Sequence, residues 1–391
     1  MAPRFDLVVK GGRVVDPAQQ IDDLLDVGVR RGRVVELGPN LATADTSGTR
    51  IVDASGGLVV PGLVDIHAHV YSGVCPLTVP ADEMSSQTGV TTIVSAGDAG
   101  ANTIEGFRQL IVNASRTRVL AFLNISTIGL ASFPVGESLE LGLLDVDAAA
   151  TAISRFPDVI VGLKVRQGGA SVTGSNGLEP MRRALVVGRA VGLPVMVHIT
   201  DSDAPIDELL AMLGTGDIVT HCFTGSAHSL RQNGRLTAAA TDARARGVLF
   251  DVGHGAGSFD FDVADIAAKS DFWPDTISTD LHSISASKAK SLPDVMSKML
   301  AIGMPLKAVI AAVTSKAARA IGRADRLGTL RPGVVADIAV LDLHHEQVQL
   351  SDTFGHTRSG QERLTARLTI RAGAVWGAPS HPGMGVAVLA E

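Results

Sequence analysis

Between residues 57 and 322, short apolar runs alternate with amphipathic, alanine-rich stretches. Eight runs read as strands: Leu63–His69, Thr91–Ala96, Val119–Ile125, Ile160–Arg166, Val195–Ile199, Ile218–Cys222, Val248–Val252 and Thr276–Asp280. The stretches between them carry helical spacing, as in Thr103–Ser115, Glu179–Val191, Ala204–Leu213, Asp262–Lys269 and Ser287–Ile302. Eight apolar strands alternating with helices predict an α/β fold, a closed (β/α)8 TIM barrel. On either side the pattern changes. FDLVVKGGRVVD and DLLDVGVRRGRVVELGP, before the barrel, are short valine-rich strands broken by glycine turns, and GTLRPGVVADIAVLDL and RLTARLTIRAGAVW, after it, are strands that a complete barrel cannot accommodate. Pairing the two sets with each other predicts a small β-sandwich domain from residues 1–56 and 323–391, beside a barrel of residues 57–322. The tail HPGMGVAVLAE carries little pattern of its own.

Length and composition agree with one large barrel plus a small domain: 391 residues, 46% apolar, 19% charged, mean hydropathy +0.26. No apolar run approaches the ~20 residues needed to cross a bilayer. The start, MAPRFDLVVKGG, lacks the charged-then-apolar pattern of a signal peptide, so a cytoplasmic location is expected. A net charge of −6 with interspersed signs argues against a nucleic-acid or membrane partner and leaves a small-molecule substrate. The two cysteines, Cys75 and Cys222, cannot form a disulfide framework, and neither has a visible base partner.

Within this frame the histidines are informative. His67 and His69 lie two apart on a strand, so their imidazoles share a face and converge at the strand's end. Such a pair suits a divalent metal, although histidines also pair this way without one. His198 and His221 close the fifth and sixth predicted strands, and Asp280 closes the eighth. A barrel gathers those carboxyl ends on one rim, where its chemistry sits. Lys164 lies inside the apolar run of the fourth strand, where an unpaired ammonium is costly.

These residues, together with PGLVDIHAH on the first strand, GVTTIV leading into the second, and the returning GTLRPGVVADIAVLD, resemble the amidohydrolase superfamily of binuclear metallohydrolases over nearly the whole chain. The resemblance implies that Lys164 is carbamylated by carbon dioxide and bridges two divalent metals, zinc being expected. It further implies one metal held by His67, His69 and Asp280 and the other by His198 and His221, with a hydroxide shared between them. Burial that depresses the lysine pKa would free its amine to attack carbon dioxide. Two cations can activate water and polarise a carbonyl, and Asp280 would shuttle the proton as general base and then acid, or serve only as a ligand.

The closest likeness is to the dihydroorotase and hydantoinase-like branch, particularly its amidohydrolase/deacetylase group, through the segment Phe250–Phe259. True dihydroorotases place a substrate-binding arginine two residues after the paired histidines, where this chain has Tyr71. The resemblance therefore implies a deacetylase or deacylase cleaving an amide or ester of a small carboxylate-bearing substrate, with a cyclic-amide hydrolase as the alternative. A mononuclear deaminase would not need Lys164, and a catalytically silent scaffold should lack ligands. Homo-oligomerisation is expected by analogy with the family. Four residues are candidates for substrate binding. Tyr71 could donate to an oxyanion or simply form a pocket wall. Arg166 shares a strand face with Lys164 and could clamp a carboxylate, or pair with a loop carboxylate. His254 sits in a glycine-rich turn on the rim, where it could equally hold the loop, and His282 shares the face of Asp280 and could support it from behind.

Overall fold

A computed structural model describes residues 4–42 and 48–377, and the tail HPGMGVAVLAE lies outside the described residues. Seven parallel strands form one sheet in chain order: Leu63–Ala68, Val90–Ala96, Arg118–Asn124, Ile160–Arg166, Val195–His198, Ile218–Thr220 and Leu249–Asp251. They match the first seven predicted strands to within a few residues at each end. The eighth, Thr276–Asp280, is not a regular strand. Single bridges from Thr276 to Asp251 and from Leu281 to Ala68 carry it between the seventh strand and the first. Side chains replace part of its ladder: Asp65 accepts from the Thr279 N–H at 3.1 Å and its hydroxyl at 2.6 Å. Asp280 adopts φ +47°, and its N–H donates to the carbonyl of His67 at 2.7 Å.

The helices pack outside this curled sheet. Glu179–Val191 is the clearest: Pro180 opens it, Gly192 at φ +71° ends it, and Met181, Ala184, Leu185 and Val187 are buried. Gly188 is required there, since a Cβ would sit 2.8 Å from Val195 of the neighbouring strand. Two predicted helices are broken. Thr103–Ser115 becomes an α-turn at Ile104–Phe107 followed by a π-helical stretch at Arg108–Val112. Ser287–Ile302 divides at Lys290, φ +55°, and restarts as Leu292–Ala301 with Pro293 in its first turn.

Inside the barrel, Val64, Ile66, Val94, Phe122, Val161, Met196 and Ile218 pack on Ala317, Ala320 and Ile321 from the last helical segment. This plug fills the barrel below the rim, so polar groups gather only above it. The first strand shifts register between Asp65 and Ala68. That irregularity allows Val64 and Ile66 to face the plug while His67 and His69, of opposite parity, also point inward.

The chain ends pair as expected. Leu7–Asp16 runs antiparallel to Ile21–Arg30 and parallel to Arg50–Asp53 and Leu58–Pro61, and Leu58–Pro61 pairs with Ile338–His344, which continues to Arg363–Arg371 and Ala374–Gly377. The strands are joined into one branched eight-stranded sheet, where two facing sheets were expected. The branch arises at Gly11 and Gly12, where the register shifts and would-be Cβ atoms would meet Ser55 at 2.6 Å and Val59 at 2.4 Å. The two halves of Leu7–Asp16 thereby take different partners. Residues 58–61, read from sequence as the start of the barrel segment, pair within this terminal sheet. No described helix is long and apolar enough to cross a membrane.

Candidate metal centre

The carboxyl ends of the barrel strands enclose a cavity of about 90 Å³ lined by His67, His69, Lys164, His198 and Asp280, with Arg166, Glu137, His282 and Asn124 on its wall. Each histidine is fixed from behind. His67 Nδ1 lies 2.7 Å from the Thr220 hydroxyl, which itself donates to Asp251 at 2.8 Å, so the imidazole must donate through Nδ1. His69 Nδ1 lies 2.5 Å from Asp98, a carboxylate that also accepts from the N–H groups of Val70 and Tyr71 and from Ser95. His221 Nδ1 donates to the Gly253 carbonyl at 2.6 Å, and His198 Nε2 to the Thr200 carbonyl at 3.1 Å.

These outward bonds assign the protons by the logic of the network. Every inward nitrogen of a neutral ring is then a lone pair: Nε2 of His67, His69 and His221, and Nδ1 of His198. His221 Nε2 and His198 Nδ1 face each other at 2.8 Å, acceptor against acceptor. His67 Nε2 is 3.1 Å from Lys164 Nζ and 3.4 Å from Asp280 Oδ1, and His69 Nε2 is 3.0 Å from the same oxygen. His67, His221 and Asp280 offer ligand atoms within 4.8 Å of one another. Opposed lone pairs in a buried site repel unless a cation lies between them, so the donor set fits a divalent metal.

Electrostatics point the same way. Burial holds His67 and His198 well below the ordinary imidazole range and His221 at about 4. Burial also works against a charge on His69, yet Asp98 and Asp280 lift it to about 9, which marks a position that favours positive charge. Burial alone would raise Asp280, but His67, His69 and His221 outweigh it and hold the carboxylate well below its usual range. Lys164 is 3% exposed, and desolvation lowers it to about 8. Among the described residues, its Nζ has two hydrogen-bond partners, His67 and, at 3.7 Å, the sulfur of Met196.

All six sequence-derived ligand candidates, His67, His69, Lys164, His198, His221 and Asp280, thus converge, as do two of the four substrate-binding candidates. Arg166 lines the cavity in a two-pronged ion pair with Glu137, and His282 stands edge-on to His69 with ring centroids 5.8 Å apart. Tyr71 lies elsewhere: its hydroxyl donates to the Thr103 carbonyl at 3.0 Å and its ring packs edge-on against Phe107. His254 is also outside the cavity, buried against Phe259 and 2.8 Å from Lys298. Neither lines the cavity, and the polar atoms of both meet core partners.

Sequence reasoning assigned no role to Asp98, Thr220, Asp251 or Glu137. Asp98 and Asp251 carried a usable signal, since each stands at the carboxyl end of a strand, as the candidate ligand histidines do. Thr220 precedes one of those histidines, and only the register of the sixth strand against the seventh brings it between His67 and Asp251.

The chain matches the amidohydrolase family over residues 58–367. A deacetylase of Agrobacterium fabrum is 38% identical over 328 residues, 83% of this chain and 79% of its own length. Among solved structures, an adenine deaminase superposes with a TM-score of 0.88 at 28% identity, over 95% of this chain and all of its own. A dihydroorotase superposes with a TM-score of 0.87 at 33% identity, over 95% of this chain and 99% of its own.

Proposed function

This chain belongs to the amidohydrolase family and is a hydrolase of C–N bonds, and on that footing we propose that it is a metal-dependent deacylase. It removes acetyl or a similar acyl group from a small carboxylate-bearing amide or ester. One observation carries the reading: outward hydrogen bonds turn the inner ring nitrogens of four histidines toward one another beside Lys164 and Asp280. His67, His69 and Asp280 would hold one divalent ion and His198 and His221 a second, with carbamylated Lys164 between them. Zinc matches the nitrogen and oxygen donors. Such a pair, when bound, would activate water and polarise the scissile carbonyl.

The chain's own residues perform the rest. Asp280 stands with Oδ1 between His67 and His69, positioned to take a proton from the attacking water and return it to the leaving group. Water adds to the carbonyl carbon, the C–N or C–O bond breaks, and the proton leaves on the departing amine or alcohol. Thr220, Asp98 and the Gly253 carbonyl keep the imidazoles in the required tautomers. The deacetylase relative supports acyl transfer to water, while the dihydroorotase structure supports cyclic-amide hydrolysis as a second reading.

Elemental analysis of protein prepared with zinc and bicarbonate, beside Lys164→Ala, tests the centre. Two metals per chain in the parent and loss of the pair in the variant are expected. One metal in both would remove the bridging role of Lys164 and favour the deaminase-like alternative. Turnover of acyl amides and esters against hydantoin and dihydropyrimidine rings then separates the two substrate readings.

A further inference from the structure

The wall of the cavity carries an ion pair whose geometry goes beyond the hydrolytic centre. Arg166 follows Lys164 by two residues on the fourth strand and lies beside His198 in the register of the fifth. Its Nε donates to Glu137 Oε1 at 3.1 Å and its Nη2 to Oε2 at 2.8 Å. Glu137 is 1% exposed and the Arg166 side chain 19%, so the carboxylate is the more deeply buried partner of the pair. A guanidinium presents two parallel forks, one formed by Nε with Nη2 and one by Nη2 with Nη1. Glu137 takes the first. The second meets no protein acceptor among the described residues.

The loop that carries the carboxylate is itself held in place. Gly136, beside it, packs so closely that a Cβ would sit 2.3 Å from the Ser171 carbonyl, just beyond the strand that carries Arg166. Asn176 donates to the carbonyls of Ser138 and Leu139 at 2.8 and 2.9 Å. The loops after the third and fourth strands are thereby locked around the pair. Leu77 and Leu130 supply apolar wall to the same cavity.

We propose that Glu137 is the specificity-setting residue of this site: it fixes Arg166 at the cavity wall with one fork unpaired and offsets part of its charge, making a receptor for a single carboxylate. The inference rests on the deacylase reading and deepens it. Substrates are acyl compounds with one carboxylate. A neutral analogue leaves the free fork without a partner, and a second carboxylate meets Glu137 with little positive charge left to offset it. Glu137 acts through Arg166 and touches no reacting atom, so it is a positioning residue.

The experiment uses the metal-loaded protein with four probes: an aryl acetate, an N-acetyl amino acid with a neutral side chain, the carboxamide of that compound, and N-acetylaspartate. The aryl acetate carries no carboxylate and reads the hydrolytic centre alone. The parent should prefer the monoacid over both the carboxamide and the diacid by about tenfold or more in kcat/KM, most of it in KM. Arg166→Met should abolish the preference over the carboxamide. Glu137→Gln leaves an uncompensated guanidinium and should move the preference toward N-acetylaspartate, whereas Glu137→Asp should keep the ranking of the parent with a raised KM. Metal content and thermal midpoint of each variant separate misfolding from altered recognition, and the ranking of probes by the parent needs no variant. Equal turnover of acid and carboxamide by a parent that cleaves the aryl acetate overturns the proposal for Glu137. No turnover of any probe by protein carrying its metals overturns the deacylase reading instead.

Discussion

Two groups of histidine and carboxylate in this chain differ in what their atoms are free to do. His67, His221 and Asp280 form one, and Asp260, Asp352 and His356 the other. In the second, nearly every acceptor is spent. Asp352 takes N–H bonds from Phe261, Phe354 and His356 and lies 2.9 Å from the His356 imidazole. Asp260 caps the helix Phe261–Lys269 through the Asp262 N–H and has Arg231 nearby at 3.9 Å. Those carboxylates satisfy a helix start and a turn. In the first group the backs of the rings are bonded to the protein, and their inner nitrogens face Lys164, Asp280 and one another. The same residue types thus build a joint in one place and a ligand set in the other, and the difference is what the remaining atoms face.

The strongest way to break this comparison is to remove a group from each cluster. Asp280→Asn should lower kcat by about 10²–10⁴-fold with the fold intact, measured by steady-state kinetics and circular dichroism. An activity loss matched by unfolding would mean that Asp280 is a joint after all. Asp352→Ala should do the reverse, costing about 2 kcal/mol of unfolding free energy in a denaturant titration because it orphans buried N–H donors, while turnover per folded molecule persists. Loss of turnover without loss of stability would place the second cluster in the chemistry.

The smallest effect sharpens the contrast through pH. A hydrogen bond to Asp352 and its charge raise the pKa of His356. A group whose pKa is raised on folding stabilises fully below its unfolded value, near 6.5, and the contribution fades as pH climbs through the folded value. The thermal midpoint of the parent should therefore fall slightly above neutrality relative to pH 5, and His356→Gln should flatten that part of the profile. An unchanged profile in the variant would show that the half-buried pair contributes nothing.

Much of this was legible in the chain. The alternation of apolar strands and helices located seven barrel strands, because a parallel strand buried on both faces must be a short apolar run. Strand ends located the candidate ligands, since a barrel brings those ends together whatever its loops do. The eighth strand misled because its ladder is shared with the side chains of Asp65 and Asp251, and apolar pattern does not register side-chain substitutes for backbone bonds. Tyr71 and His254 misled for a related reason: position on the rim did not reveal that Thr103 and Lys298 occupy their polar atoms.

Periodicity and local spacing along the chain were enough for the barrel strands, the pairing of the two chain ends and the six residues that meet at the rim. The branched terminal sheet, the tautomer of each imidazole and the partner of Arg166 are products of packing. Those depend on atoms brought together from segments such as 98 and 69, 220 and 67, or 137 and 166. Contacts of that kind are set by the register of strands and the packing of loops, which no local pattern along the chain encodes.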